Sequence, residues 1–326
     1  MPCRRFRAAR SIQSGVSTPP SEQRVAVITA LVANVAVAIA KLGAFAITGS
    51  SAMLAESLHS CADSTNEVLL LVGARRSNRP ADLRHPFGHA RYRYLYAYVV
   101  SLTVFWIGGV LAVIEGVSSL SGHDRILDPR WALAVLGLAA VLDGWSLRTT
   151  ARAGRTAKGA LTWRELLRST KAPELIVVFL EDLGALAGIG IAAIGVTLAA
   201  VTGDGVWDAM ASIAIGFLLM AIGLVVNRET QSLLVGESAS ADVVASIRHA
   251  IGVSPGVKAI VDLRTIHVGP DDLVVAAGIK VDPAWDAAAI AGTIVGAKAR
   301  IRAAVPFRTV IYLEPLVDAP SATPPV

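Results

Sequence analysis

The sequence predicts an all-α membrane bundle of six transmembrane helices, followed by a small cytosolic α+β domain. Hydrophobic residues make up 54% of its 326 residues and charged residues only 17%, which is less charge than soluble domains carry. The apolar residues are gathered into segments of about 20 residues, and in lipid each such segment must be helical to satisfy its backbone. The six segments are Val25–Thr48, Ala52–Val72, Leu95–Ser119, Trp131–Leu147, Leu175–Val201 and Val206–Val226.

The basic residues predict which ends of the helices face the cytosol. Residues 1–24 hold five arginines, six arginines follow the second segment, and seven lysines or arginines follow the fourth. The loops at the opposite side hold only Arg125 and Arg130. By the positive-inside rule, both termini and both basic loops are cytosolic. The net charge of +5 is therefore a topology signal, and nucleic-acid binding is not expected.

The chain is expected to divide into a cytosolic tail (1–24), a six-helix transmembrane domain (25–235), a cytosolic domain (236–318) and a disordered tail (319–326). The first tail is rich in arginine and serine and lacks the apolar stretch of a secretory signal. A mitochondrial presequence would look similar. We expect a disordered cytosolic tail and residence in the cell membrane, with a mitochondrial membrane as the alternative.

The segment after Gly236 has a mixed pattern that predicts the order αββαβ. The turn Gly269-Pro270-Asp271 separates the two central strands. This order gives a small sheet with helices on one face. The predicted elements are helix Ala241–Ile251, strands Val257–His267 and Asp272–Val281, helix Pro283–Val305 and strand Thr309–Glu314.

Ionisable side chains concentrate in the second apolar segment. Glu56, His59, Asp63 and Glu67 follow one another at spacings of 3, 4 and 4, so they share one stripe of a helix. Such groups are costly in a bilayer and face a protein interior or a water-filled cavity. An imidazole and a carboxylate at i and i+4 can bind one divalent ion, and this donor pair suits zinc. A structural polar network between helices is the alternative.

The fifth segment carries two adjacent carboxylates, Glu181 and Asp182. Two such groups in an apolar helix indicate an accompanying cation. Because they point about 100° apart, one of them is expected to be the direct ligand. If the second and fifth helices pack together, His59, Asp63 and one of these carboxylates form a buried anionic cluster that suits a divalent cation.

Single polar groups elsewhere in the apolar segments are expected to form hydrogen bonds or ion pairs between helices. Lys41 is expected to neutralise Glu56 or Glu115. The members of this group are Asn34, Lys41, Glu115, Asp143 and Asp208.

The loop after the second segment holds a further set of possible ligands, Asp82, His85 and His89, at spacings of 3 and 4. These three side chains could share a metal ion. Pro86 and Gly88 argue against a continuous helical face here. A second metal site and a solvated loop that organises the junction between two helices both remain open.

Three stretches resemble the cation diffusion facilitator family: Ser50–Asn66, Arg79–Arg91 and Tyr94–Gly109. Asp262–Pro270 is similar to the family's cytosolic domain. The resemblance implies six helices, a homodimer with metallochaperone-like (ferredoxin-like) αββαβ domains, and efflux of divalent metal from the cytosol, usually in exchange for protons. The metal is then a transported substrate rather than a cofactor. No enzymatic activity is expected, and the sequence contains no HExxH motif.

The fifth helix departs from the family pattern. Zinc-selective members usually carry HxxxD there, whereas Val178 stands at the histidine position and Glu181 precedes the matching Asp182. This form resembles the zinc transporter nine branch. We therefore predict His59, Asp63 and Asp182 as metal ligands, with Glu181 as a fourth ligand or proton acceptor.

The predicted function is export of a divalent metal, zinc first, in exchange for protons. A transporter of manganese, cobalt or iron is the nearest alternative, because an oxygen-rich site suits harder ions. A membrane protein of a different class, a metal sensor or scaffold that does not transport, is the second alternative.

Overall fold

The computed structural model describes residues 20–121, 129–158 and 171–316. The disordered tail expected at 319–326 and most of the cytosolic tail expected at 1–24 lie outside these residues. The described part contains six long helices followed by a three-stranded sheet with two further helices. This confirms the predicted fold class.

The six long helices agree in number and order with the predicted spans. The third is interrupted by a π-helical segment, Val104–Val110, between Tyr92–Thr103 and Leu111–Ser119. We label them in chain order: α1 Pro20–Thr48, α2 Ser51–Ser77, α3 Tyr92–Leu120, α4 Pro129–Lys158, α5 Pro173–Thr202 and α6 Val206–Val235.

Most of these helices run several residues past the predicted apolar ends. α4 continues to Lys158 rather than Leu147, and α6 continues to Val235 rather than Val226. The helical backbone continues past the apolar residues because alanine, arginine, glutamate and glutamine, which occur in these extensions, are good helix formers. α5, in contrast, ends close to its predicted end, because Gly203 adopts a left-handed φ of 71° and its N–H binds the Ala199 carbonyl.

Four of the six helices, α3 to α6, are long and apolar enough to cross a membrane on length and composition alone. In α1, the shorter apolar stretch Asn34–Thr48 meets the same composition. α2 is the polar exception, because it carries the ionisable stripe predicted from the sequence. Its amino-terminal half is nevertheless buried by neighbouring helices, with Ala52, Met53 and Ala55 fully enclosed.

The described residues fall into two compact units. The first comprises residues 20–80, 92–121, 129–158 and 171–231, and its core is built from small and branched apolar side chains such as Ala55, Val100 and Ile215. Within it, α3 and α6 approach closely at glycines. A Cβ on Gly216 would lie 2.8 Å from the Gly109 carbonyl oxygen, so the two backbones are nearly in contact.

The second unit comprises residues 81–91 and 232–316. Its elements are α7 Ala241–Gly252, β1 Ala259–Gly269, β2 Asp272–Lys280, α8 Ala287–Ala304 and β3 Arg308–Leu316. The strand order is β1-β2-β3, with β1 antiparallel and β3 parallel to β2. Both the αββαβ order and the turn between the two central strands were predicted correctly.

The core of the second unit lies on one face of the sheet. Alternate residues of β2, from Leu273 to Ile279, are buried with a period of two. They pack against Ile247 of α7 and Ile301 of α8, which belong to the same apolar cluster. The loop 81–91 also belongs to this unit. Ala90 packs on the β1–β2 turn, where a Cβ on Gly269 would lie 2.3 Å from the Cβ of Ala90.

Candidate functional site

A cavity of about 330 Å³ lies among α1, α2, α4 and α5 in the first unit. Five carboxylates line it, whereas its lining residues in the described part of the chain include no lysine or arginine. Such a concentration of acidic groups inside a helix bundle suits a cation. The carboxylates belong to Asp63, Glu67, Asp143, Glu181 and Asp182.

The α2 pair predicted to bind a metal is in contact. His59 Nδ1 lies 3.4 Å from Asp63 Oδ1, as the i, i+4 spacing requires. Asp63 lines the cavity, but His59 is fully buried behind it and does not line the wall. Within the described residues, neither ring nitrogen of His59 takes part in a hydrogen bond. A buried imidazole with two unbonded nitrogens retains its capacity to bind an ion.

The two carboxylates of α5 point to different helices, as their 100° separation predicts. Glu181 Oε1 accepts a hydrogen bond of 2.6 Å from the Asn66 amide of α2. Asp182 accepts from the hydroxyls of Ser146 and Thr150 in α4, each at 3.0 Å. Glu181 is therefore the α5 carboxylate that faces α2, whereas the sequence-based prediction gave Asp182 the leading role.

Three further polar residues belong to this site, although the sequence-based prediction gave them no role as ligands. Asn66 lies seven residues after His59 on α2, and its Oδ1 is buried without a hydrogen bond in the described structure. Glu67 accepts a hydrogen bond of 2.7 Å from Asn34 of α1. Asp143 lines the cavity from α4. The sequence did contain a signal for Asn66, because its spacing of two helical turns from His59 places both side chains on the same face of α2.

Two expected interhelical contacts of other polar groups are present. Lys41 of α1 forms an ion pair with Glu56 of α2, with Nζ and Oε2 2.8 Å apart. Asp208 of α6 accepts hydrogen bonds from the Ser50 and Ser51 hydroxyls and from the backbone N–H of Ala52. The Asp208 carboxylate thus caps the amino-terminal end of α2, where it also complements the helix dipole.

The loop 81–91 brings Asp82, His85 and His89 together, with one ligand atom of each within 4.8 Å of the others. Asp82 Oδ1 accepts the backbone N–H groups of Arg84 and His85, and this turn holds the carboxylate in place. The N–H of His85 and, next, that of Arg84 lower the pKa of Asp82 below its usual range. The carboxylate is therefore charged at neutral pH, as a metal ligand must be.

In the described parts of the chain, no other three acidic, histidine or cysteine side chains have ligand atoms this close. The four predicted transmembrane ligands are accordingly more dispersed: Asp63, Glu181 and Asp182 share a cavity wall, with His59 behind Asp63. The predicted cluster is thus open in this conformation. A bound ion would have to draw these side chains inward.

Residues 27–235 match the family model described as the cation efflux transmembrane domain. The chain belongs to the cation efflux, or cation diffusion facilitator, family. This confirms the resemblance found in the sequence. The family is one of transporters rather than enzymes.

Curated relatives of this cation efflux protein support the same branch. The chain is 31% identical over 232 residues to the proton-coupled zinc antiporter SLC30A9, mitochondrial, of Xenopus laevis, and 30% identical over 233 residues to the Homo sapiens protein of that name. Each match covers 70% of this chain and 41% of the relative, so the chain spans less than half the length of these relatives. The magnetosome protein MamM of Magnetospirillum gryphiswaldense is 26% identical, over 69% of this chain and 67% of its own.

The accessibility of α2 changes along its length. From Ser51 to Ser60, most side chains are buried, and Glu56, Ser57 and His59 are fully enclosed. Beyond this point, Asp63 is 21% exposed, and the following residues are mostly accessible in part. The cavity lies beside this change, because the α2 residues that line it run from Ser60 to Leu70.

Proposed function

We propose that this protein exports a divalent metal ion, zinc first, from the cytosol in exchange for protons. The single observation that carries the proposal is the acidic cavity, in which five carboxylates from three helices face one space of about 330 Å³. Membership of a transporter family and relatives named as proton-coupled zinc antiporters support it.

The direct ligands we propose are Asp63 and Glu181, with His59 and Asp182 completing the set. Asp63 and Glu181 both line the cavity, and Glu181 is held toward α2 by Asn66. His59 reaches the ion by a side-chain rotation that carries its ring past Asp63. Asp182 exchanges its hydroxyl partners on α4 for the metal. This mixture of nitrogen and oxygen donors suits zinc and also admits manganese, cobalt or iron.

Proton coupling follows from competition for the same atoms. A carboxylate or imidazole binds metal only when deprotonated, so protons and metal exclude each other from the site. With the basic loops in the cytosol, the cavity loads its ion from the cytosolic side. Protons that arrive from the other side displace it, and a pH gradient that is acidic outside drives export.

The loop 81–91 is proposed as a second, non-transporting metal site. Asp82, His85 and His89 supply one carboxylate and two imidazoles, a donor set found in zinc sites. Ala90 of the same loop packs on the sheet of the second unit, so a bound ion would fix the loop against that sheet.

Assembly and location are proposals as well. We infer a homodimer, in line with the family resemblance of the sheet domain. Residence in the cell membrane was the expectation from the sequence, and it matches export from the cytosol. The vertebrate relatives carry the word mitochondrial in their names. In a mitochondrial membrane, the compartment from which the ion is exported would be the matrix rather than the cytosol.

The experiment that tests the function is metal flux into proteoliposomes with an imposed pH gradient. Zinc should move against protons, and manganese, cobalt and iron should be offered in competition. Asp63→Ala and Asp182→Ala should each abolish flux, whereas the exposed Asp242→Ala in α7 serves as a matched carboxylate control and should transport like the parent. Flux of every metal at the background rate of empty liposomes would instead favour the sensor or scaffold.

A further inference from the structure

A buried ion pair lies immediately behind the cavity wall. The Lys41 ammonium donates to Glu56 Oε2 at 2.8 Å and to Ser60 Oγ at 2.9 Å, and both charged side chains are fully buried. In the described residues, Lys41 is the only lysine or arginine whose side chain is wholly enclosed. Burial of two charges is costly even when they are paired, so the pair calls for a role besides stability.

The position of Lys41 relates it directly to the acidic cavity. Ser60, which accepts one of its hydrogen bonds, is itself part of the cavity wall. The ammonium is thus one hydrogen bond away from the space in which we place the ion.

Glu56 is arranged to hold the lysine rather than to bind an ion. One carboxylate oxygen binds Lys41, and the other packs against α5, where a Cβ on Gly188 would lie 2.3 Å from Oε1. Glu56 is also absent from the cavity lining, although it belongs to the same α2 stripe as Asp63. The pair therefore presents its positive end toward the cavity and its negative end away from it.

A transport site must release its ion as well as bind it, so its affinity has to be limited. Five carboxylates around one space would hold a divalent cation strongly, because charges interact over several ångströms in a medium of low dielectric constant. A fixed positive charge behind the wall opposes this attraction without occupying the site.

We propose that Lys41 is the counter-charge that limits the affinity of the cavity for its divalent ion, and that Glu56 and Ser60 hold the ammonium in place. Lys41 is then an affinity-determining residue that need not touch the ion. The inference rests on the proposed function, since it requires an ion in the cavity.

The test replaces the pair by neutral side chains of similar size, in Lys41→Met/Glu56→Gln. This double variant leaves no buried charge unpaired, so it avoids the folding risk of Lys41→Met alone. Zinc affinity is measured by competitive titration of the full chain in detergent, in a His85→Ala/His89→Ala background that removes the imidazoles of the loop site. Zinc flux in proteoliposomes gives KM and kcat separately. Loss of the positive end of the pair should tighten zinc binding roughly tenfold and lower kcat, because release becomes slower.

Two controls separate this role from a purely structural one. Lys41→Arg keeps the charge and should retain an affinity close to that of the parent. Arg93→Met/Glu174→Gln removes another ion pair between helices of the first unit, one outside the cavity lining, and should leave the zinc affinity unchanged. If the Lys41–Glu56 pair only stabilised the fold, its replacement would not give tighter zinc binding together with a lower kcat.

Zinc binding by Lys41→Met/Glu56→Gln that is unchanged or weaker than that of the parent would overturn the inference. Failure of the proposed function would look different: the parent itself would neither bind nor transport metal, and Asp63→Ala would change nothing. The counter-charge alone would be rejected by a combination of three results. The parent would transport zinc, Asp63→Ala would not transport it, and Lys41→Met/Glu56→Gln would bind zinc with the affinity of the parent.

Discussion

The carboxylate of Asp208 offers a prediction on stability that can be worked out from its contacts. It accepts the Ser50 hydroxyl at 2.6 Å, the Ser51 hydroxyl at 3.0 Å and the Ala52 N–H at 3.3 Å, and it is only 3% exposed. It joins the start of α6 to the start of α2. In Asp208→Ala, the charged acceptor is lost and three buried donors remain.

The expected cost follows from ordinary values for such contacts. A hydrogen bond to a charged group contributes about 1.5–3 kcal/mol, and a buried donor that is left without an acceptor costs about 1–3 kcal/mol. We therefore expect Asp208→Ala to lower the free energy of unfolding by about 3–5 kcal/mol. Asp208→Asn keeps one acceptor oxygen and should lose about 1–3 kcal/mol, because its NH₂ group opposes the Ala52 N–H.

The measurement is unfolding of the detergent-solubilised protein, followed by circular dichroism across a denaturant series. The matched control is Asp204→Asn, because Asp204 is exposed and accepts the Val206 N–H at the start of α6. Asparagine caps a helix as well as aspartate does, so this variant should behave like the parent. If Asp208→Ala unfolds at the same denaturant concentration as Asp204→Asn, the capping role of Asp208 is refuted.

Three further predictions concern packing, pH and metal preference. Gly216→Ala should destabilise the protein by about 1–3 kcal/mol in thermal unfolding, since the added Cβ would lie 2.6 Å from a side-chain carbon and 2.8 Å from backbone atoms of α3. The control is Gly190→Ala, which should be neutral because its added Cβ would have no atom within 4 Å. The hydrogen bond from Lys258 lowers the pKa of Asp282, so the stabilising contribution of Asp282 is present above the ordinary aspartate pKa of about 3.9 and is lost as the pH falls through the lower folded value. Asp282→Asn should remove this acid dependence from the amide hydrogen exchange of the sheet domain. An exchange profile that keeps the same pH dependence in this variant would contradict the prediction. Val178→His adds an imidazole to the cavity wall and should shift preference from manganese toward zinc in competition flux, whereas an unchanged ratio would show that this position does not set selectivity.

Much of the fold was accessible from the sequence because its strongest signals are long. Runs of about 20 apolar residues predict helices with little ambiguity, and two short runs on either side of the turn Gly269-Pro270-Asp271 predict a pair of strands. Helix ends were less accurate, because α4 and α6 continue as helices into polar sequence beyond the apolar segments.

The candidate site was predictable in its residue types but not in its arrangement. The spacing of His59 and Asp63 placed them in contact, and the adjacency of Glu181 and Asp182 implied that they diverge. Which of the two carboxylates faces α2 depends on how α5 is rotated about its axis within the bundle. The spacing of residues along one helix does not predict this rotation, because it is set by contacts with the other helices. The role of Asn66 was missed for the same reason, since its partner Glu181 lies 115 residues away.

The most direct test of the account is a zinc titration that isolates the cavity from the loop. In a His85→Ala/His89→Ala background, which removes the imidazoles of the loop site, the full chain should still bind zinc at a single site per chain. Adding Asp63→Ala or Glu181→Ala to that background should abolish this binding while the protein stays folded by circular dichroism. Zinc binding that persists undiminished after both cavity carboxylates are removed would contradict the central claim that the cavity holds the transported ion.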